Sequence, residues 1–172
     1  MKKHKIIETS RIKVALRKDF HDVLKAPISE LLDLTGADYF EHQIIKNYYQ
    51  PNHFVSAFNT HEEWLDNYWA NFWDNDPLER KLHKNAQING LSFCLWHLSD
   101  PNSDCMKARM QMCRVFDGVA FAYQHKSGVL ESFTIAWHKF DLERVDPKKL
   151  ELIQEKLVPI RLHHHQVYQD LK

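Results

Sequence analysis

Five aromatic rings crowd one stretch of ten residues. Trp64, Tyr68 and Phe72 recur at intervals of four, and Trp69 and Trp73 form a stripe beside them. Positions three and four apart share a face of a helix, so this spacing predicts a helix with a wide aromatic surface. Such a helix has to lie against a large apolar partner. The chain supplies one: Phe93, Trp96, Phe121, Tyr123, Phe133 and Trp137 all fall in segments that read as strands. The 172 residues suffice for one domain with a real core, since a chain near that length buries roughly two thirds of its unfolded surface.

The rest of the chain fills in around that pairing. Residues from Ser10 to Leu34 read as helical, with Ile12, Leu16, Phe20, Val23, Leu24 and Leu31 on one face, Pro27 predicting a break or kink and Gly36 a C-cap. Tyr39–Tyr49 and Phe54–Phe58 read as two strands of a hairpin about Pro51-Asn52. Thr60 and Glu63 have the spacing of a capping box for the aromatic helix, which Asp76-Pro77 ends. Glu79–Asn89 reads as a polar connection and Leu91–Leu98 as a strand. Asp104–Arg114 reads as a helix with Cys105, Ala108, Met112 and Cys113 inward. Val119–Tyr123 and Val129–Trp137 form a second predicted hairpin about Lys126-Ser127-Gly128. Asp146-Pro147 opens a last helix with Leu150, Ile153, Leu157 and Ile160 as its stripe, a kink at Pro159, and a polar His-rich tail to Lys172. This order predicts a single α+β domain over residues 1–172, an α-β-α sandwich on a central antiparallel sheet of about five strands, PAS-like in layout.

Charge and composition remove several classes of function. Lys plus Arg is 23 and Asp plus Glu is 23, so the basic surplus that phosphate binding requires is missing, and no DNA contact is expected. The N-terminal lysines are followed by no apolar run, so no signal peptide is expected, and no stretch reaches the ~18 apolar residues of a membrane span. With 3 cysteines a disulfide framework is ruled out, and a reducing cytosol is the expected compartment. Cys105 and Cys113 read as buried thiols rather than a redox pair. His97, His125 and His138 lack metal-motif spacing, and no nucleophile elbow or glycine-rich phosphate loop occurs, so neither a metal, a cofactor nor an enzyme activity is expected.

Trp64, Tyr68, Asp76-Pro77, Trp96, and Phe116 with Gly118, taken in order, carry a resemblance. The chain resembles the autoinducer-binding domain of LuxR-type quorum-sensing transcription regulators, above all the divergent input domains of orphan regulators, over roughly residues 31–160. It departs from that pattern in three places: the Tyr68–Asp76 interval is one residue short, the Asp76–Trp96 interval is longer than in acyl-homoserine-lactone receptors, and Thr60-His61 stands where those receptors often have Tyr-Pro. The fifteen residues after Leu157 are too few for the family's helix-turn-helix reader, so a sensor domain without a DNA-binding domain is expected.

The resemblance implies a function and a site. Trp64, Tyr68, Asp76 and Trp96 become candidate ligand-binding residues: an indole N–H donating to a lactone carbonyl, the aspartate accepting from a ligand amide N–H, the tyrosine hydroxyl meeting an acyl carbonyl. The partner implied is a small amphiphilic signal molecule of acyl-homoserine-lactone type. Gly118 is expected to have a backbone role, through positive φ or close approach. The residues alone leave a plainer alternative open, in which the aromatic stripe is core and Asp76 only ends a helix. A second functional reading is a protein-interaction module, a homodimer or a heterodimer that modulates a full-length LuxR-type regulator.

Overall fold

The computed structural model describes residues 24–45, 54–125, 128–139 and 146–170; for 45, 54–58, 62 and 162–170 it describes the backbone only. Five strands form one antiparallel sheet: β1 (Tyr39–Ile45), β2 (Phe54–Asn59), β3 (Leu91–Leu95), β4 (Asp117–Gln124) and β5 (Leu130–Trp137), in the order β2-β1-β5-β4-β3. Both expected hairpins are present. β1 pairs with β2 (Glu41 opposite Asn59), β4 with β5 (Phe121 opposite Phe133), and β5 joins them by pairing with β1 (Tyr39 opposite Ala136). The helices are α1 (described over 24–35), α2 (Glu62–Asn71), α3 (Pro77–Asn89), α4 (Asp104–Cys113) and α5 (Pro147–Asp170).

The sheet has two unlike faces, because side chains alternate along each strand. One face carries Phe40, Val119, Phe121, Tyr123, Phe133, Ile135 and Trp137, and packs on Leu24, Ile28 and Leu31 of α1 and Ile153, Leu157 and Ile160 of α5. The other carries mostly small residues, Cys94, Ala120, Ala122 and Ala136, and receives α2, α3 and α4. The predicted α-β-α sandwich is the observed one. Small side chains on that floor leave room for the rings of α2, so Trp64 and Tyr68 lie fully buried above it.

Gly118 illustrates how tight this seat is. A Cβ there would come within 2.6 Å of the Ile135 carbonyl oxygen and 2.7 Å of Trp96 Cε2. Close approach, rather than positive φ, is therefore what requires glycine: the Trp96 ring lies directly on its backbone.

Several local expectations change. The stretch after Asp76-Pro77 is a helix, not a polar connection, since Pro77 takes the first position of α3 and Asp76 caps it. Thr60 does not cap α2. Its hydroxyl accepts from the Phe40 backbone N–H, and His61 takes the cap position without a side-chain bond. β3 ends at Leu95, and Trp96–Leu98 form a 3-10 turn. On α4, Met112 faces out, and Met106 and Arg109 are buried with Cys105 and Cys113. Residues 24–35 stay helical through Pro27, Gly36 follows in the left-handed region, and α5 runs on through Pro159 to Asp170. Ile12, Leu16, Phe20 and Val23 lie outside the described residues, as does the stretch from Lys46 to His53.

Gly118→Ala should be costly, because the added methyl meets backbone that cannot retreat. Overpacking of this kind costs about 1–3 kcal/mol. The expected result is a lower urea midpoint with an unchanged slope; an unchanged midpoint would show that Trp96 yields freely.

Candidate ligand-binding site

The four residues singled out in the sequence come together, around a fifth that was not. Trp64 and Tyr68 project from successive turns of α2 with ring centroids 5.8 Å apart. Trp96 enters from the turn after β3, edge-on to Tyr39 at 6.1 Å. Asp76 stands at the junction of α2 and α3. At the middle is the guanidinium of Arg109 from α4, 1% exposed. Its Cζ lies 5.3 Å from the Trp64 ring centroid, 5.6 Å from that of Tyr68 and 5.6 Å from that of Trp96. Its Nη2 donates to Asp76 Oδ2 at 2.5 Å, and its Nη1 donates to Met106 Sδ at 3.2 Å.

Rings and carboxylate complement this cation. The negative faces of three aromatic rings and one carboxylate stand where water would otherwise solvate the charge. Burial is the largest single influence and opposes the guanidinium's charge, but Asp76, Cys105, Glu41 and Tyr39 together outweigh it, and the pKa is held well above the ordinary arginine value. Burial also pushes the Glu41 carboxyl up, with the Arg109 charge pulling it the other way. Glu41 accepts from the Tyr39 hydroxyl, the Asn59 amide and the Gln43 amide, closing a second polar cluster on the same face.

Asp76 does more than pair. Oδ1 accepts from the backbone N–H of Leu78 at 2.9 Å and of Glu79 at 3.3 Å, which caps α3. Burial, followed by the Asp76 charge, drives the pKa of the buried Cys105 thiol far upward. Cys113, buried nearby, is pushed up to about 12, chiefly by burial. Neither cysteine has the lowered pKa of a reactive thiol, and all three are free.

The donors around this point are less fully used. Trp64 Nε1, Trp96 Nε1 and Arg109 Nε are buried and have no hydrogen-bond partner among the described residues. Among the described residues no group of three His, Cys, Asp or Glu could hold a metal ion, and no helix is long and apolar enough to cross a membrane.

Arg109 escaped the sequence reading because α4 was scored for apolar residues only. Its signal was present: an arginine three residues after Met106 and four before Cys113, hence inward on a helix whose inward positions were otherwise assigned.

No protein-family model and no curated protein matches the chain. Solved structures do match. The N-acylhomoserine-lactone-dependent LuxR-family transcription factor CepR2 of Burkholderia cenocepacia superposes with a TM-score of 0.59 at 12% identity, over 90% of this chain and 94% of that one. Escherichia coli SdiA gives 0.59 at 16% identity, over 95% of this chain and 69% of that one. A structure of SdiA in complex with octanoyl-rac-glycerol gives 0.51 at 16%, over 94% and 66%. At these identities the likeness is one of fold: this chain has the fold of the LuxR-type autoinducer-binding domain across nearly its whole length.

The Asp76–Arg109 pair can be weighed by a double-mutant cycle. Asp76→Asn leaves an unpaired buried cation, and Arg109→Met an unpaired buried anion. Each should cost about 3–5 kcal/mol of unfolding free energy. The double variant should cost clearly less than the sum of the two. Additive losses in urea denaturation would show that the two charges are not energetically paired.

Proposed function

We propose that this chain is a small-molecule sensing domain of LuxR type, in which Trp64, Tyr68, Asp76 and Trp96 border the binding site. The observation that carries the reading is their convergence. Residues from α2, the α2–α3 junction and the turn after β3 meet at one buried point, with two indole N–H groups left unpartnered. A concave apolar site with a few fixed polar groups is what orients a small amphiphile. The fold likeness to a lactone-dependent regulator and to a protein solved with an acylglycerol supports the same class of ligand. The even balance of 23 basic and 23 acidic residues supports a domain that does not itself hold DNA.

A ligand bound only by the native state raises the melting temperature by mass action. Acyl-homoserine lactones and mono-octanoylglycerol form the first panel. At a hundred times its dissociation constant, a binder should add about 2.7 kcal/mol and shift the midpoint by roughly 5 °C or more. The shift should be lost on Trp64→Ala or Trp96→Ala in variants that still fold. No shift with any lipid-like carbonyl compound would remove the reading.

An exposed apolar set favours a second reading. Leu91 and Phe93 on the edge strand β3, with Leu98 beyond it, are all more than two fifths exposed. Under that reading the domain pairs with a copy of itself or with a LuxR-type regulator, and it resides in the cytoplasm. Light scattering should give a mass above 20.5 kDa for the chain, alone or mixed with a full-length regulator. A monomer under both conditions excludes it.

A further inference from the structure

The part of the sheet under α2, α3 and α4 has two unlike halves. Side chains alternate along a strand, so Tyr39 and Ala136 fix which residues of β1 and β5 share that face. Two rows of cross-strand partners lie on it in register. One runs Asn59, Glu41, Thr134, Ala120, Cys94, and the next runs Gln43, Ser132, Ala122, Ser92. On β4 and β3 these rows are mostly small and apolar. On β1 and β5 they are polar: Glu41, Gln43, Ser132 and Thr134 are each at most 2% exposed. A plain alkyl chain laid over that half would seal polar groups away from water, which costs free energy wherever one of them lacks a partner.

One of them does. Glu41 accepts from the Tyr39 hydroxyl, from the Asn59 amide at 2.8 Å and from the Gln43 amide. The last of these bonds orients Gln43. Its Nε2 faces the carboxylate, and turning the amide over would set two acceptor oxygens against each other. Oε1 is therefore directed away from Glu41, and it is buried with no hydrogen-bond partner among the described residues. Charge gives the corner a sign. Glu41 is subject to the negative charges of Glu79 and Asp76, with Arg109 the cation that opposes them, and His83 lies 2.8 Å from Glu79. A hydroxyl or a protonated amine suits such a corner, and a carboxylate does not. Gln43 stands four residues along β1 from Tyr39, roughly 13 Å at about 3.3 Å per residue, and Tyr39 packs on Trp96. The corner is thus at the far end of a molecule whose head lies at Trp64 and Trp96.

We propose that this domain takes a ligand polar at both ends, whose far end carries a hydrogen-bond donor that meets Gln43 Oε1 beside Glu41. Gln43 is then a specificity-determining residue, and the β1–β5 half of the sheet selects against a plain alkyl tail. The inference rests on the sensor reading above and names the tail chemistry that such a sensor admits.

Probes that share one head and differ only at the tail test it. They are N-octanoyl-homoserine lactone and its ω-hydroxy, ω-amino and ω-carboxy forms. Titration calorimetry or thermal shift on the full chain should rank the better of the hydroxy and amino forms at least tenfold above the plain tail, the gain from pairing one buried acceptor. Which of the two leads tells a neutral donor from a charged one. The carboxy form should bind weakest. In Gln43→Leu the donor preference should vanish and the plain tail should gain. A plain or carboxy tail that binds the wild type as tightly as both donor forms overturns the inference and leaves the sensor reading intact, as does a preference that survives in Gln43→Leu. Binding of no probe to the wild type or the variant removes both. If Gln43→Leu does not fold, the wild-type ranking alone decides.

Discussion

One carboxylate organises the whole helical layer on the small-residue face of the sheet. Asp76 stands after the turns that follow α2, caps α3 through two backbone N–H groups and holds α4 through Arg109. Three helices thus meet at one buried ion pair. Such a pair is a poor source of net stability, because desolvating two charges offsets most of their attraction. Its effect is geometric. A guanidinium that must reach a fixed carboxylate, with three rings packed about it, leaves α4 few alternative placements over the sheet.

The opposite face depends on nothing so specific. α1 and α5 cover it through leucine and isoleucine, and its rings pack as an ordinary core. It also carries Glu131, bonded by His42 at 2.9 Å and by His125 at 2.7 Å. Burial would raise that carboxyl, but the two histidine bonds outweigh it and lower its pKa. The division of labour is between a face that stabilises and a face that is polar, aromatic and floored by alanine.

Much of this was readable in the sequence, and the misses have physical reasons. The two hairpins followed from alternation and turn residues, and the aromatic helix from its four-residue spacing; the β1–β5 and β3–β4 pairings that complete the sheet were not legible. α3 was missed because Glu79 to Asn89 is polar by composition, and its amphipathicity rests on Leu78, Leu82 and Ala86 alone. The signal that starts it, Asp-Pro, reads equally well as a helix end, but the helix before it already stops at Asn71, so Asp76-Pro77 only opens α3. Trp64, Tyr68, Asp76 and Trp96 were named from a family pattern, and they do converge. What the pattern could not hold was Arg109, because a cation buried among three tryptophan and tyrosine rings is a property of packing, visible only when α4 is laid over α2.

That fifth residue bears on how far a shared fold carries chemistry. At 12 to 16% identity, the likeness to CepR2 and SdiA transmits backbone geometry and the positions from which side chains reach inward. It does not transmit the state of each hydrogen-bonding group. An aspartate facing an empty polar corner is an acceptor for whatever arrives. Asp76 here already accepts from two backbone N–H groups and from Arg109, so most of its capacity is used inside the protein. Sites of this fold are therefore to be compared by their unpaired donors and acceptors rather than by which conserved-looking residues are present, since the pairing decides what an incoming molecule must bring.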